Sequence, residues 1–189
     1  MPTFTIVAGP NGSGKSTLTR IAREGFQDAP VLDPDVIARS MASTSAEGGS
    51  AIDAGRDVLK STENLLHLRQ SFLVETTLSG NTYLRMMSEA KSLGYTVILI
   101  FIGTVDVEIN LQRVRERVES GGHDVPEEDQ RRRYPRSMAN LRKAFALADE
   151  AVLFDNSVRE GHLRLAVKDA TGVTIYQTLP EWAAFLRPN

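Results

Sequence analysis

Residues 3–17 read TFTIVAGPNGSGKST, and the fold follows from how this stretch changes character half-way. Thr3–Ala8 is an apolar, β-branched run of strand length, and helix formers begin at Lys15. Between them, Gly9-Pro10-Asn11-Gly12-Ser13-Gly14-Lys15-Ser16 satisfies G-x-x-x-x-G-K-[ST] in full, with Thr17 next on the helix. Glycines let such a loop fold so that successive N–H groups point inward at an anion, and the new helix adds the positive end of its dipole. In that geometry Lys15 reaches the β- and γ-phosphates of a nucleotide and the Ser16 hydroxyl ligates Mg2+. The stretch predicts a strand, a phosphate cradle and a helix. It leaves open whether the phosphate is transferred, sensed or used to drive movement.

Working outward, apolar runs alternate with longer amphipathic segments. Strands are expected at 3–8, 30–32, 71–75, 96–102 and 151–154, and helices at 15–23, 34–41, 50–68, 81–93, 105–120, 126–148 and 180–186. Strands alternating with helices of ten or more residues imply an α/β fold, a parallel sheet covered on both faces. The tail, 163–168 and 173–177 around Ala170-Thr171-Gly172, reads as a hairpin instead of a sixth βα unit. Neither a repeat nor a linker interrupts the 189 residues, so a single domain is expected, with a core over about 3–157 and the hairpin and last helix over 163–187.

Composition narrows the function classes. A net charge of −2 gives no global field toward nucleic acid or anionic membrane. Without cysteine there is neither a disulfide nor a thiolate-ligated zinc. The opening MPTFTIVAGP lacks a basic segment followed by a long apolar one, so no secretory leader is expected. The longest apolar run, Val97–Ile102, is a strand's length and not a bilayer's. A cytoplasmic protein with no membrane partner is the expectation.

A phosphate cradle needs partners at the ends of neighbouring strands, where ligands bind in open α/β sheets. Leu32-Asp33-Pro34-Asp35 ends the second strand. Helix capping accounts for Asp33 and Pro34, and it leaves Asp35 to accept a proton from a substrate hydroxyl. The third strand ends in Val74-Glu75-Thr76-Thr77. Glu75 is expected to orient a metal-bound water or hold the substrate, with Thr77 donating to it.

Nine of the 22 basic residues fall between Arg113 and Lys143, on two helices separated by Gly121-Gly122-His123. The pattern suggests an arginine-bearing lid over polyphosphate, with Arg117 and Arg132 or Arg133 neutralising the transferring group. The other arginines read as a solvated face paired with Glu116, Glu119, Glu127 and Glu128. Tyr134, Met138, Leu141 and Phe145 recur at helical spacing as core, and His67 and His162 read as structural or exposed. His123 faces the presumed crevice. Asp169-Ala170-Thr171-Gly172 fits the D-x-x-G of GTPases but lies in the hairpin, and no Asn-Lys-x-Asp selects guanine.

Together, GPNGSGKST, LDPDVIA, LVETTLSG, RVRERVESGGHDVPEEDQRRRY, RSMANL and LFDNS resemble the zeta-toxin family of P-loop kinases, over about residues 3–157. The resemblance implies a nucleotide-kinase-like parallel sheet. It also implies ATP-dependent phosphorylation of a hydroxyl on UDP-N-acetylglucosamine, which blocks peptidoglycan synthesis, and restraint by an antitoxin. Position by position it implies Lys15 and Ser16 as the phosphate-loop pair, Asp35 as catalytic base, and Glu75 and Thr77 as substrate residues. Arg117 matches the first lid arginine. Alignment on Pro126 and Asn140-Leu141 puts His123 at the second, whose role passes to Arg132, Arg133 or His123 itself. Asp155-Asn156 resembles the family's segment near the adenine.

The leading expectation is thus a Mg·ATP-dependent small-molecule kinase. A nucleoside, nucleotide or polynucleotide 5′-hydroxyl kinase is a second, though the acidic balance disfavours a nucleic-acid track. The third is a non-catalytic nucleotide-binding module controlled by an antitoxin, which would have no use for both Asp35 and Glu75.

Overall fold

The computed structural model describes residues 1–25, 30–33, 51–158 and 161–187. Along the chain run β1 (Thr3–Ala8), α1 (Lys15–Gly25), β2 (Val31–Leu32), α2 (Ala51–His67), β3 (Phe72–Thr76) and α3 (Thr82–Ser92). There follow β4 (Thr96–Gly103), α4 (Val107–Glu119), α5 (Glu127–Leu147), β5 (Glu150–Asp155), β6 (Leu163–Asp169) and β7 (Gly172–Ile175). A 3₁₀ turn, Glu181–Leu186, closes the order. The expected helix over 34–41 and the residue it was read to carry, Asp35, lie outside the described residues.

The strands form one sheet in the order β2-β3-β1-β4-β5-β6-β7. Pairing is parallel from β2 to β5, with Ile6 beside both Val74 and Leu99. The tail hairpin does not stand apart: β6 pairs antiparallel with β5, and β7 with β6, so the sheet is mixed. A two-residue turn permits only the antiparallel sense between β6 and β7, whereas parallel neighbours need a helical crossover. The tail helix expected over 180–186 is the tighter 3₁₀ form, entered through Pro180 in extended backbone.

Alternation along each strand assigns its residues to two layers. Phe4, Ile6, Phe72, Val74, Val97, Leu99 and Phe101 point into the larger one, with Val58 and Leu66 of α2, Met87 of α3 and Leu141 of α5. Val7, Leu73 and Ile102 point to the other face, against Leu18 of α1. Helices therefore cover both faces, and the residues just past the carboxyl ends of β1, β2 and β3 are left to line a shared crevice. Of the stripe read as core on α5, Leu141 and Phe145 are buried, Met138 packs at its margin, and half-buried Tyr134 donates its hydroxyl to the Thr104 carbonyl at 2.7 Å. The D-x-x-G segment is the hairpin turn, in which Asp169 accepts from the Thr171 backbone and hydroxyl.

Candidate active site

The loop after β1 is held on every side. Gly9 stands at φ +150°, and a Cβ there would fall 2.2 Å from the Ile102 carbonyl of β4. Gly12, at φ +74°, lies against the Asn110 backbone of α4 in the same way. These contacts admit only glycine. Ser13 N donates to the Pro10 carbonyl, closing a turn within the loop, and Lys15 Nζ reaches the same carbonyl at 2.9 Å.

From the start of α1, Ser16 Oγ donates to Glu75 Oε1 at 3.1 Å and Thr19 Oγ1 to Glu75 Oε2 at 2.8 Å. Ser16 and Thr19 are three apart, so they share one helix face, and that face meets the end of β3. Glu75 is 6% exposed. Burial pushes its carboxyl above the ordinary glutamate range, Lys15 pulls it down, nearby Asp33 pushes it up again, and the two hydroxyls lower it. Asp33, expected only to cap a helix, is 8% exposed and lines the crevice beside Glu75.

These groups open on a cleft of about 700 Å3. Asn11, Gly12, Gly14, Lys15 and Ser16 line it with Asp33, Glu75 and Thr77, while Arg113, Arg117, His123 and Arg133 stand on α4, α5 and the turn between them. Residues not singled out from sequence complete it: Arg56 and Leu59 of α2, and Thr82 and Tyr83 of α3. Burial pushes the Tyr83 phenol up to about 12, so it stays protonated and can donate.

Of the two tandem arginines, Arg133 reaches the cleft and Arg132 does not. Adjacent helical residues point about 100° apart, so one face cannot present both. Arg132 is 53% exposed and pairs with Asp129, which Arg133 also meets at 3.0 Å. Arg117 Nη2 donates to the His123 carbonyl at 2.6 Å, which pins the Gly121-Gly122-His123 turn to α4. Arg115–Glu127 and Arg131–Glu108 pairs join the two helices on the solvent side, and Arg131 also pairs with Glu127 within α5. Asn156, expected beside an adenine, donates from Nδ2 to the Ser13 carbonyl at 2.8 Å, and also lines a second cleft of about 460 Å3 with Arg113 and Gln112. His162 Nε2 lies 3.3 Å from the Gly14 carbonyl. Neither loop contact was legible, because each joins residues more than a hundred positions apart.

The arrangement can therefore cradle a polyphosphate on loop amides, offer oxygen donors to a hard cation, and place cationic groups opposite. The sequence model of the zeta toxin family matches residues 1–165. The chain belongs to the zeta toxin family. An uncharacterized protein of Haemophilus influenzae is 40% identical over 126 residues, covering 67% of this chain and 88% of its own length. Among solved structures, a chain of the AvrRxo1-ORF1:AvrRxo1-ORF2 complex with ATP superposes with a TM-score of 0.74 at 18% identity, covering 93% of this chain. This chain spans only 60% of that protein's length. A chain of the PezAT toxin–antitoxin system of Streptococcus pneumoniae superposes with a TM-score of 0.64 at 19% identity, covering 98% of this chain and 78% of its own. A putative kinase from Chloroflexus aurantiacus gives 0.53 at 21% identity, covering 64% and 69%. At these identities the structures establish the shared P-loop kinase fold. Among the described residues no helix is long and apolar enough to cross a membrane.

Proposed function

We propose that this chain is a single-domain, Mg·ATP-dependent kinase that transfers the γ-phosphoryl group to a hydroxyl of a small molecule. The observation that carries the reading is the convergence of the loop, the Ser16–Glu75 pair and buried Asp33 on one cleft whose far wall holds Arg117 and Arg133. A pure binding module has no use for two buried carboxylates beside a phosphate cradle, because each costs stability to bury. The donor set fits Mg2+: a serine hydroxyl and carboxylates are hard oxygen donors, few enough that the ion would keep waters and share nucleotide oxygens. Ser16 would ligate it and Glu75 would hold one of its waters. When bound, the ion neutralises charge on the phosphates.

In the transfer, the acceptor oxygen bonds to the γ-phosphorus as the bond from that phosphorus to the β–γ bridging oxygen breaks, releasing ADP. Asp35 takes the hydroxyl proton. Lys15 swings from the Pro10 carbonyl to the phosphates, and Arg117 and Arg133 stabilise the charge on the moving group. Thr77 and His123, which line the cleft, would orient the acceptor. Family membership supports UDP-N-acetylglucosamine as the first acceptor to try. The complexes of AvrRxo1-ORF1 and PezAT support an antitoxin as partner.

Two measurements test this. Asp35→Ala should abolish transfer while leaving ATP affinity within about twofold, since a base acts on the acceptor and not the donor; transfer that survives would remove Asp35 from the role. Incubation with γ-labelled ATP and cell-extract metabolites, UDP-N-acetylglucosamine included, should give one labelled product identifiable by mass. Binding of ATP without product across the whole panel would favour the non-catalytic module.

A further inference from the structure

We infer that Asn156 and His162 are positioning residues for the nucleotide: from beneath the loop they fix the orientation of the two peptide units whose N–H groups meet the phosphate. The inference rests on the loop being the phosphate site, and deepens that reading.

A trans peptide unit is planar, with its C=O and the following N–H directed oppositely. The Ser13 carbonyl shares a plane with the Gly14 N–H, and the Gly14 carbonyl with the Lys15 N–H. Asn156 Nδ2 donates to the first carbonyl at 2.8 Å. A carbonyl only accepts, so at 3.3 Å His162 must present Nε2–H to the second. Two consecutive carbonyls are thereby drawn to the side away from the cleft that Gly14 and Lys15 line, and their paired N–H groups turn toward it. Rotation of either unit would instead aim a carbonyl oxygen at a phosphate oxygen.

Both supports are themselves fixed. The Asn156 backbone donates to the Gly103 carbonyl of β4 at 2.9 Å, and its own carbonyl accepts from Arg113 Nη1 at 2.6 Å. The His162 ring stands edge-on to Phe154 with centroids 6.2 Å apart. Gly14 shows how closely the supports press: at φ +97°, a Cβ there would lie 2.5 Å from Asn156 Nδ2 and 2.9 Å from His162 Nε2. The second glycine of the motif thus makes room for the supports as well as for the turn. Burial, with Arg113 nearby, holds the His162 pKa below the usual imidazole range, in keeping with a neutral donor.

The test is calorimetric binding of Mg·ADP, which needs no acceptor. His162→Phe keeps a ring against Phe154 and removes the donor; about five- to tenfold weaker binding is expected. His162→Gln places an amide N–H at similar reach and should restore most of the loss. Asn156→Leu should weaken binding to a similar degree. If Asn156→Leu fails to fold, the partly exposed position 162 still decides. Were the contacts only structural, His162→Phe would lower the melting temperature of the free chain and leave ADP affinity unchanged; that outcome overturns the inference alone. A wild-type chain that binds no Mg·ADP overturns the phosphate-site reading and this inference with it.

Discussion

At the scale of single residues, Glu75 shows how a carboxylate can be needed and costly at once. Ser16, Thr19 and Lys15 all favour its charged form, yet burial and Asp33 outweigh them and its pKa rises above the reference 4.5. A raised acid is protonated in the folded state at a pH where the unfolded chain still ionises it. Its contribution to stability therefore falls as pH climbs from the unfolded to the folded pKa, and the cost persists at neutral pH. If Glu75 must be ionised to hold a metal-bound water, Mg·ADP affinity should drop with acidification starting above the ordinary glutamate range, by about tenfold per pH unit. Glu75→Gln should bind weakly at all pH values, lose that acid limb, and melt higher than wild type at neutral pH. Wild-type affinity that holds flat down to the ordinary glutamate range would show that the carboxylate is not titrating there.

At the scale of elements, α5 does more than carry arginines. Ser137 Oγ donates to the Thr77 carbonyl, and Asn140 Nδ2 to the Leu78 carbonyl at 2.9 Å and that of Gly80 at 3.3 Å. Leu78 sits at φ +54°, a conformation a branched side chain avoids unless its surroundings hold it there. The helix thus holds the turn that presents Thr77 to the cleft. Asn140→Ala should cost about 1–3 kcal/mol, because two carbonyls lose their donor. A change below about 0.5 kcal/mol in urea unfolding, typical of a neutral surface substitution, would mean that water replaces the amide without penalty. These elements also mark what sequence can convey. Apolar runs bounded by glycine and proline located β1 and β4 within a residue, because strand period and turn chemistry are local properties. The loop, Glu75 and Thr77 were legible for the same reason, standing where strands end. The arrival of Asn140, Asn156 and His162 at their carbonyls depends on how distant segments pack, and no local pattern encodes it. The antiparallel extension of the sheet was half legible: the hairpin was, its pairing with β5 was not. Arg132 and Arg133 could not be told apart from spacing while the rotation of α5 was unknown.

At the scale of the whole molecule, a net charge of −2 conceals a strong segregation. Arg115, Arg131 and Arg132 are paired with carboxylates on the solvent side, while Lys15, Arg56, Arg113, Arg117 and Arg133, the last also paired with Asp129, border one cleft that holds two carboxylates, Asp33 and Glu75. Cationic groups along a concave wall focus the field on anions without making the surface basic. A polyphosphate bound there bridges the loop, α1, β3 and the α4–α5 pair, so its binding free energy should appear as global stability. With free Mg·ADP at about a hundred times its Kd, the expected gain is about 2.7 kcal/mol. For a chain of this size that corresponds to a rise in Tm of about 5–10 °C. The chain's one tryptophan reports it: Trp182 packs on Phe101 with ring centroids 5.8 Å apart, and lies where a Cβ on Gly103 would be 2.6 Å away. Its emission should follow unfolding of the central sheet. Chelating the metal should shrink the shift, raised salt should reduce it in part, and Lys15→Ala should abolish it. An ADP shift that survives Lys15→Ala intact would place the nucleotide somewhere other than the loop from residue 9 to residue 16.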